Sequence, residues 1–222
     1  MSGDIESSGR VEIENQMVKL GEKAAIDDCV VLGYLPVRGG HVVLTIGPRA
    51  RIRRGTIIYG GSRIGNNLET GHNVIIREEN DIGDNFRIWN NSVIDYGCHI
   101  ANNVKIHNNV YIAQYTIIED DVFIAPGVTL ANDLHPGCPH SHECMRGPYI
   151  KRGAQIGINS TIMPRIIIGE YAVIGAGSVV TKNVPDGTVV YGNPAEVKCD
   201  IDDVTCNTGL AEKPYPHITR RV

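Results

Sequence analysis

The chain has 222 residues, 42% of them apolar, which suits one domain with a sizeable hydrophobic core. The net charge is −4 and no basic tract is present, which argues against nucleic acid as a partner. No stretch approaches the roughly 20 apolar residues that span a bilayer, and residues 1–10 lack the apolar run of a signal peptide. These features predict a soluble, cytoplasmic protein with no membrane partner.

A six-residue repeat follows the polar N-terminal segment, residues 1–19. After a faint start and an interruption at 33–43, aliphatic residues occupy every sixth position throughout 46–130, with Thr70 as the one exception. The same register returns in residues 150–180. A repeat this long determines the fold before any other feature does.

The period of six indicates a short strand followed by a turn. Four residues after each aliphatic position stands a small or β-branched residue, and turn formers such as Gly83-Asp84-Asn85 lie between the two. An α-helix shows a period near 3.6 and a simple strand a period of 2. The pattern therefore predicts a β-solenoid with its aliphatic side chains inside and its coils about 4.8 Å apart.

The repeated phrase Ile-Gly-x-x-small-x resembles the hexapeptide-repeat acyltransferases. The resemblance implies an all-β fold, a left-handed parallel β-helix of triangular section with three hexads in each coil. It gives about eight coils over residues 20–195, with a protruding loop at 131–149. It also implies a homotrimer, because the sites of that family lie between subunits.

The middle of the chain, residues 105–126 followed by Asn132 and Asp133, resembles N-acetyltransferases that act on nucleotide-linked amino sugars. The resemblance implies substrate contacts from Asn108, Gln114 and Asn132. A sugar or sugar nucleotide is therefore the expected small-molecule substrate.

Three departures from that family pattern leave the choice between an amine and a hydroxyl acceptor open. His107 stands where Gln is usual, Gln114 where Glu is usual, and Ala131 where Thr is usual. Transfer needs a group that takes the acceptor's proton, and histidine is a good base near neutral pH. We expect His107 and His135 as bases with Asp133 as orienter or substrate ligand; alternatively, each histidine is a solvated turn residue.

Charges cluster at Arg77-Glu78-Glu79, where the repeat elsewhere has neutral turns. We expect a solvated turn here. The alternative is an intersubunit salt bridge or a contact from Arg77 to a sugar nucleotide.

The largest interruption, residues 131–149, contains the phrase Cys138-Pro-His-Ser-His-Glu-Cys144. Thiols and imidazoles are ligands that zinc favours, although the cysteines of zinc sites usually lie closer together in sequence. A structural zinc at Cys138 and Cys144, a free-thiol loop and a local disulfide stay open. Cys29 and Cys98 are expected to pack in the core.

The last repeats and the phrase Gly192-Asn-Pro-Ala resemble the acyl-CoA-binding end of the same family. The resemblance implies that the arm of acetyl-CoA lies in a groove between two subunits. Small side chains would let the arm approach the backbone and cations would meet its phosphates, unless these residues only form turns. The expected contacts are Asn159, Pro164, Arg165, Gly175, Ala176 and Lys182. The tail, residues 196–222, is expected to be irregular.

Together these patterns predict an acyl-CoA-dependent acyltransferase that acetylates an amino group or hydroxyl of a sugar or nucleotide-linked sugar. The acceptor would attack the thioester directly. One alternative is a γ-class carbonic anhydrase, which needs three converging histidines, for which the candidates are His72, His99 and His107. Another is a non-catalytic β-helix scaffold.

Overall fold

The computed structural model describes residues 12–13 and 17–215. The predicted N-terminal segment, residues 1–19, therefore lies largely outside the described residues. Within the described part of the chain, no helix has the length and apolar character needed to cross a membrane.

Short strands separated by turns make up nearly the whole described chain. The first are β1 (Glu12–Ile13), β2 (Val18–Leu20), β3 (Ala25–Ile26), β4 (Val31–Tyr34), β5 (Leu44–Ile46), β6 (Arg51–Ile52), β7 (Ile57–Tyr59), β8 (Arg63–Ile64), β9 (Glu69–Thr70), β10 (Ile75–Ile76), β11 (Asp81–Ile82), β12 (Arg87–Ile88), β13 (Val93–Ile94) and β14 (His99–Ile100). They continue as β15 (Lys105–Ile106), β16 (Tyr111–Ile112), β17 (Ile117–Ile118), β18 (Phe123–Ile124), β19 (Thr129–Leu130), β20 (Tyr149–Ile150), β21 (Gln155–Ile156), β22 (Thr161–Ile162), β23 (Ile167–Ile168), β24 (Val173–Ile174), β25 (Val179–Val180), β26 (Thr188–Gly192) and β27 (Ala195–Asp200). The helical segments are α1 (Ser141–Cys144) and a 3-10 turn at Ile201–Asp203.

Every third strand joins the same parallel sheet. Sheet A runs from β1 and β4 to β25, sheet B from β2 to β23, and sheet C from β3 to β24 and then to β26 and β27. Paired residues are 18 apart, as in Ile76 with Ile94 and Ile94 with Ile112, so three hexads make one coil. Strands β2 to β25 thus form eight coils in the described chain, and the predicted left-handed parallel β-helix is confirmed.

The core is the stack of inward side chains that the period of six predicts. The second residue of each short strand faces inward, and Ile52, Ile88 and Ile106 have no exposed surface. Burial of each such side chain contributes about 1.5–3 kcal/mol. Thr70 is also fully buried, and its Oγ1 accepts a hydrogen bond from the backbone N–H of Arg53 at 2.9 Å.

Asparagine ladders hold the turns of successive coils together. Asn85 and Asn103 lie in the left-handed backbone region, with φ of 58° and 59°. The Asn85 side-chain amide donates to Asn103 at 2.9 Å, and the Asn103 amide donates to Asp121 at 3.0 Å. Asparagine tolerates this backbone conformation and offers both a donor and an acceptor, which explains its frequency.

Three edges separate the sheets, and we name them AB, BC and CA after the sheets they join. Two interruptions of the repeat, residues 35–43 and 131–148, both connect a strand of sheet A to a strand of sheet B. Both therefore project from edge AB. The guanidinium of Arg38 lies 3.6 Å from the ring centroid of Tyr96, so the first interruption folds back over this edge.

The segment after the repeat starts as regular structure. Strand β27 pairs antiparallel with β26, and Ile201 is buried beyond it. Residues 195–203 therefore cap the C-terminal end of sheet C.

Candidate functional site

The expected site residues divide between the two edges that flank sheet A. Those on edge CA are His107, Asn108, Asn159, Gly175 and Ala176. Those on edge AB are Arg77, Gln114, Asn132, Asp133, His135, Pro164, Arg165 and Lys182. Within one chain, sheet A separates these two groups. The base candidate His107 therefore lies on a different edge from Asp133 and His135 within one chain.

Over strands β5 to β16, but not over the later strands, sheet A alone has an apolar outward surface. In four successive coils its outward residues, all partly exposed, are Ile57, Ile75, Val93 and Tyr111. The same coils place outward from sheet B Thr45, Arg63, Asp81 and His99, and from sheet C Arg51, Glu69, Arg87 and Lys105. A stacked apolar sheet face flanked by polar edges is typical of a protein interface.

His107 is the partly buried histidine of edge CA. Its ring meets the ring of Phe123 edge-on, with centroids 5.3 Å apart. Partial burial, and then the nearby charge of Lys105, lower the pKa of His107 below its ordinary value. The imidazole is therefore neutral at pH 7 and able to accept a proton.

Asn108, the neighbour of His107, belongs to the edge ladder. Its Oδ1 accepts a hydrogen bond from the backbone N–H of Asn90 at 3.0 Å. The side-chain oxygen of Asn108, an expected substrate contact, is therefore used to hold adjacent coils together.

Edge AB contains a buried polar network that the sequence analysis missed. Asp95, 6% exposed, accepts hydrogen bonds from Arg77 Nη1 at 3.0 Å, Tyr111 Oη at 2.9 Å and Gln114 Nε2 at 2.6 Å. Burial, and then the bond to Asp95, raise the pKa of Tyr111. Arg77 and Asp95 are 18 residues apart, so opposite charges at the spacing of one coil were the available signal.

The expected solvated turn at Arg77-Glu78-Glu79 is instead partly buried. Glu78 is only 1% exposed, and Arg77 donates to it at 2.7 and 3.1 Å. The guanidinium of Arg77 is thus shared between Glu78 and Asp95 within one chain.

Gln114 connects this network to the long loop. Its Oε1 accepts from Asn132 Nδ2 at 2.5 Å. Asp133 then accepts from Ser141 Oγ at 2.5 Å and from the backbone N–H of His135 at 2.9 Å, and these bonds lower the pKa of Asp133. Asp133 therefore holds two points of the loop together, and the bond to His135 goes to its backbone N–H.

The expected acyl-CoA contacts lie on both edges, before and after the same two strands of sheet A, β22 and β25. Arg165 donates to the backbone carbonyl of Cys144 at 2.7 and 3.1 Å, so in this structure it anchors the long loop. Lys182 is exposed and Pro164 buried. A Cβ at Gly175 would lie 2.6 Å from Cβ of Tyr191, so packing also requires this glycine.

Metal binding receives no support among the described residues. No three His, Cys, Asp or Glu side chains converge there, and Cys138 and Cys144 are free, so the zinc alternative is not supported. Cys98 is buried as predicted, which raises the pKa of its thiol to about 12. The prediction for Cys29 is wrong, because it occupies an exposed turn with φ of 56°.

The histidines considered for a carbonic anhydrase lie apart in one chain. His72 and His107 are on edge CA two coils from each other, and His99 points outward from sheet B.

Comparison with known proteins identifies the repeat. A family model described as bacterial transferase hexapeptide (six repeats) matches residues 81–114, 97–132 and 147–182. These matches cover both the coils that carry His107 and Gln114 and the C-terminal coils.

Proteins of similar sequence include acetyltransferases. The dTDP-3-amino-3,6-dideoxy-alpha-D-galactopyranose 3-N-acetyltransferase of Aneurinibacillus thermoaerophilus is 59% identical over 49 residues, which are 22% of this chain and 26% of that protein. The galactoside O-acetyltransferase of Lactococcus lactis subsp. lactis (strain IL1403) is 34% identical over 99 residues, 40% of this chain and 48% of that protein. The chain thus spans less than half the length of either relative.

Among solved structures, the UDP-N-acetylglucosamine acyltransferase from Campylobacter jejuni has a TM-score of 0.67 and 16% sequence identity. The match covers 88% of this chain and 75% of that one, and it shows the shared fold.

Proposed function

Because the chain belongs to the hexapeptide-repeat superfamily, we propose that it is an acyl-CoA-dependent acyltransferase that acetylates a sugar or nucleotide-linked sugar. The observation that carries the proposal is that all expected site residues lie on the two edges that flank sheet A. The named acetyltransferases among the similar proteins support the reaction class.

The apolar face of sheet A supports a homotrimer. Three prisms that turn sheet A toward a common threefold axis bury Ile57, Ile75 and Val93 of each chain. In that arrangement, edge CA of one subunit meets edge AB of the next along the whole height of the prism. The site residues that one chain keeps apart are then brought together by its neighbour.

The acceptor site would lie at the level of β16. His107 precedes this strand and Gln114 follows it, so the two residues have the same height in adjacent subunits. Asn132 stands one coil further on, at the base of the long loop. The acceptor amine or hydroxyl is placed between the imidazole of one subunit and the amides of the next.

The acyl-CoA site would lie two to three coils toward the C-terminus. Asn159, Gly175 and Ala176 line edge CA there, opposite Arg165 and Lys182 on edge AB of the neighbour. The exposed ammonium of Lys182 suits a phosphate group. The extended arm of acetyl-CoA then runs along these edges and brings its thioester toward His107.

The chemistry assigned to these residues is a direct transfer. The neutral imidazole of His107 accepts the proton of the acceptor group. At the same time, a lone pair on the nitrogen or oxygen of the acceptor forms a bond to the thioester carbon. The carbon–sulfur bond then breaks, and the imidazolium of His107 gives its proton to the departing thiolate, so that coenzyme A leaves as the free thiol. Holding both substrates between two subunits removes the entropy cost of their encounter.

Turnover of acetyl-CoA with a panel of amino sugars, sugars and nucleotide-linked sugars tests the proposal. We expect thiol release that depends on one acceptor class, together with acetyl-CoA binding in calorimetry. Absence of acetyl-CoA binding by the protein would contradict the proposed function.

A further inference from the structure

Asp95 is a buried carboxylate that the acyl-transfer scheme above does not use. Its Oδ1 accepts from Arg77 Nη1 at 3.0 Å and from the backbone N–H of Tyr96 at 2.9 Å. Its Oδ2 accepts from Tyr111 Oη at 2.9 Å and from Gln114 Nε2 at 2.6 Å. All four neighbours donate to this carboxylate, and a carboxylate paired with a guanidinium accepts hydrogen bonds without donating any.

Because Asp95 only accepts, it fixes the orientation of the Gln114 amide, and the Gln114 amide in turn fixes that of Asn132. Gln114 must turn its Nε2 toward Asp95 and its Oε1 away from it. The Gln114 Oε1 therefore faces Asn132, and Asn132 donates to it through Nδ2 at 2.5 Å. The remaining polar atom of this side chain is Asn132 Oδ1, and no group in the described chain donates to that oxygen.

We propose that Asp95 is a positioning residue: it sets the direction of the Gln114 and Asn132 amides so that Asn132 presents its carbonyl oxygen to the acceptor. The inference rests on the proposed function for the identity of the acceptor. A carbonyl oxygen accepts a hydrogen bond from the amine N–H that is not transferred to His107, or from a neighbouring sugar hydroxyl when the acceptor is itself a hydroxyl. This bond aims the lone pair of the acceptor at the thioester. Gln114 acts as a relay and not as a base.

Two substitutions separate this directional role from simple anchoring of the loop. Asp95→Asn offers either a donor or an acceptor, so the amides of Gln114 and Asn132 lose their fixed direction. Gln114→Glu keeps the direction of Asn132 but sets two carboxylates face to face. The double variant exchanges the two groups: the amide now stands at position 95, and the carboxylate at position 114 only accepts. Asn132 must then donate to that carboxylate and again presents Oδ1.

Steady-state kinetics of the four proteins measure the relay. Each single variant is expected to lose about tenfold or more in kcat/KM for the acceptor, with the KM for acetyl-CoA unchanged. The double variant is expected to return to within about threefold of wild type. Asp81→Asn, at the exposed ion pair with Arg63, is the matched control and should leave activity unchanged. A double variant no better than either single variant would overturn the proposal.

Thermal unfolding of the same four proteins gives a readout that needs no turnover. Gln114→Glu should lower the Tm, and the double variant should recover it. Independent, additive losses in Tm would overturn the relay whatever the activity. If wild type transferred no acyl group to any acceptor, the proposed function would fail, while recovery of Tm would still support the relay.

Discussion

A single imidazole decides the pH dependence that we expect. His107 must be neutral to take a proton, so kcat/KM falls as pH drops through its pKa. Since burial and Lys105 hold that pKa below the ordinary value of 6.5, the acid limb should be centred below pH 6.5. His107→Gln should lower kcat about a hundredfold or more and remove this limb, as pH–rate profiles between pH 5 and 9 would show.

The control for this prediction is His99, an exposed histidine that points outward from sheet B. His99→Gln should keep both the rate and the acid limb. An unchanged profile for His107→Gln would remove His107 from the role of base.

At single positions, the sequence predicted which residues are buried better than it predicted which side chains pair with each other. The inward isoleucines follow from the period alone, because one residue per hexad must face the axis. The pairing of Asp95 with Arg77 depends on which turns stack on one edge, so a motif of adjacent residues does not reveal it. Cys29 was misplaced by one register position, since Val30 is the residue that packs inside.

At the scale of one strand, each coil should depend on its inward residue and tolerate changes at the outward one. Ile88 is fully buried, and Ile88→Ala should lower the free energy of unfolding by about 2–5 kcal/mol. Its neighbour Arg87 forms an exposed pair with Glu69 at 3.5 Å, so Arg87→Ala should change stability by less than about 1 kcal/mol. Urea denaturation of both variants measures the difference, and equal losses would argue against the inward stack.

The strands and turns of the repeat could be predicted from the sequence because each hexad carries its own local signal. The interruptions are different. Their positions at residues 35–43 and 131–148 are visible in the sequence. Their common edge follows only when each hexad is assigned in turn to one of the three sheets, because every third strand joins the same sheet. The bond from Arg165 to the carbonyl of Cys144 joins segments 21 residues apart, and no local pattern indicates it.

For the whole molecule, the apolar face of sheet A predicts the mode of assembly. Val93→Glu would bury a carboxylate at the threefold contact, whereas His99→Glu puts the same charge on the polar face of sheet B. Light scattering should give the mass of three chains for wild type and His99→Glu, and of one chain for Val93→Glu. Identical masses for both variants would place the contact on another face.

The most direct test of a site shared between subunits uses mixed trimers. His107→Ala removes the base on edge CA and Asn132→Ala removes the amide on edge AB, so each variant alone should be inactive. When the two chains are co-expressed in equal amounts, about one site in four draws both intact edges from different subunits. We predict about a quarter of wild-type activity in the mixture; activity no greater than that of the separate variants would contradict the account.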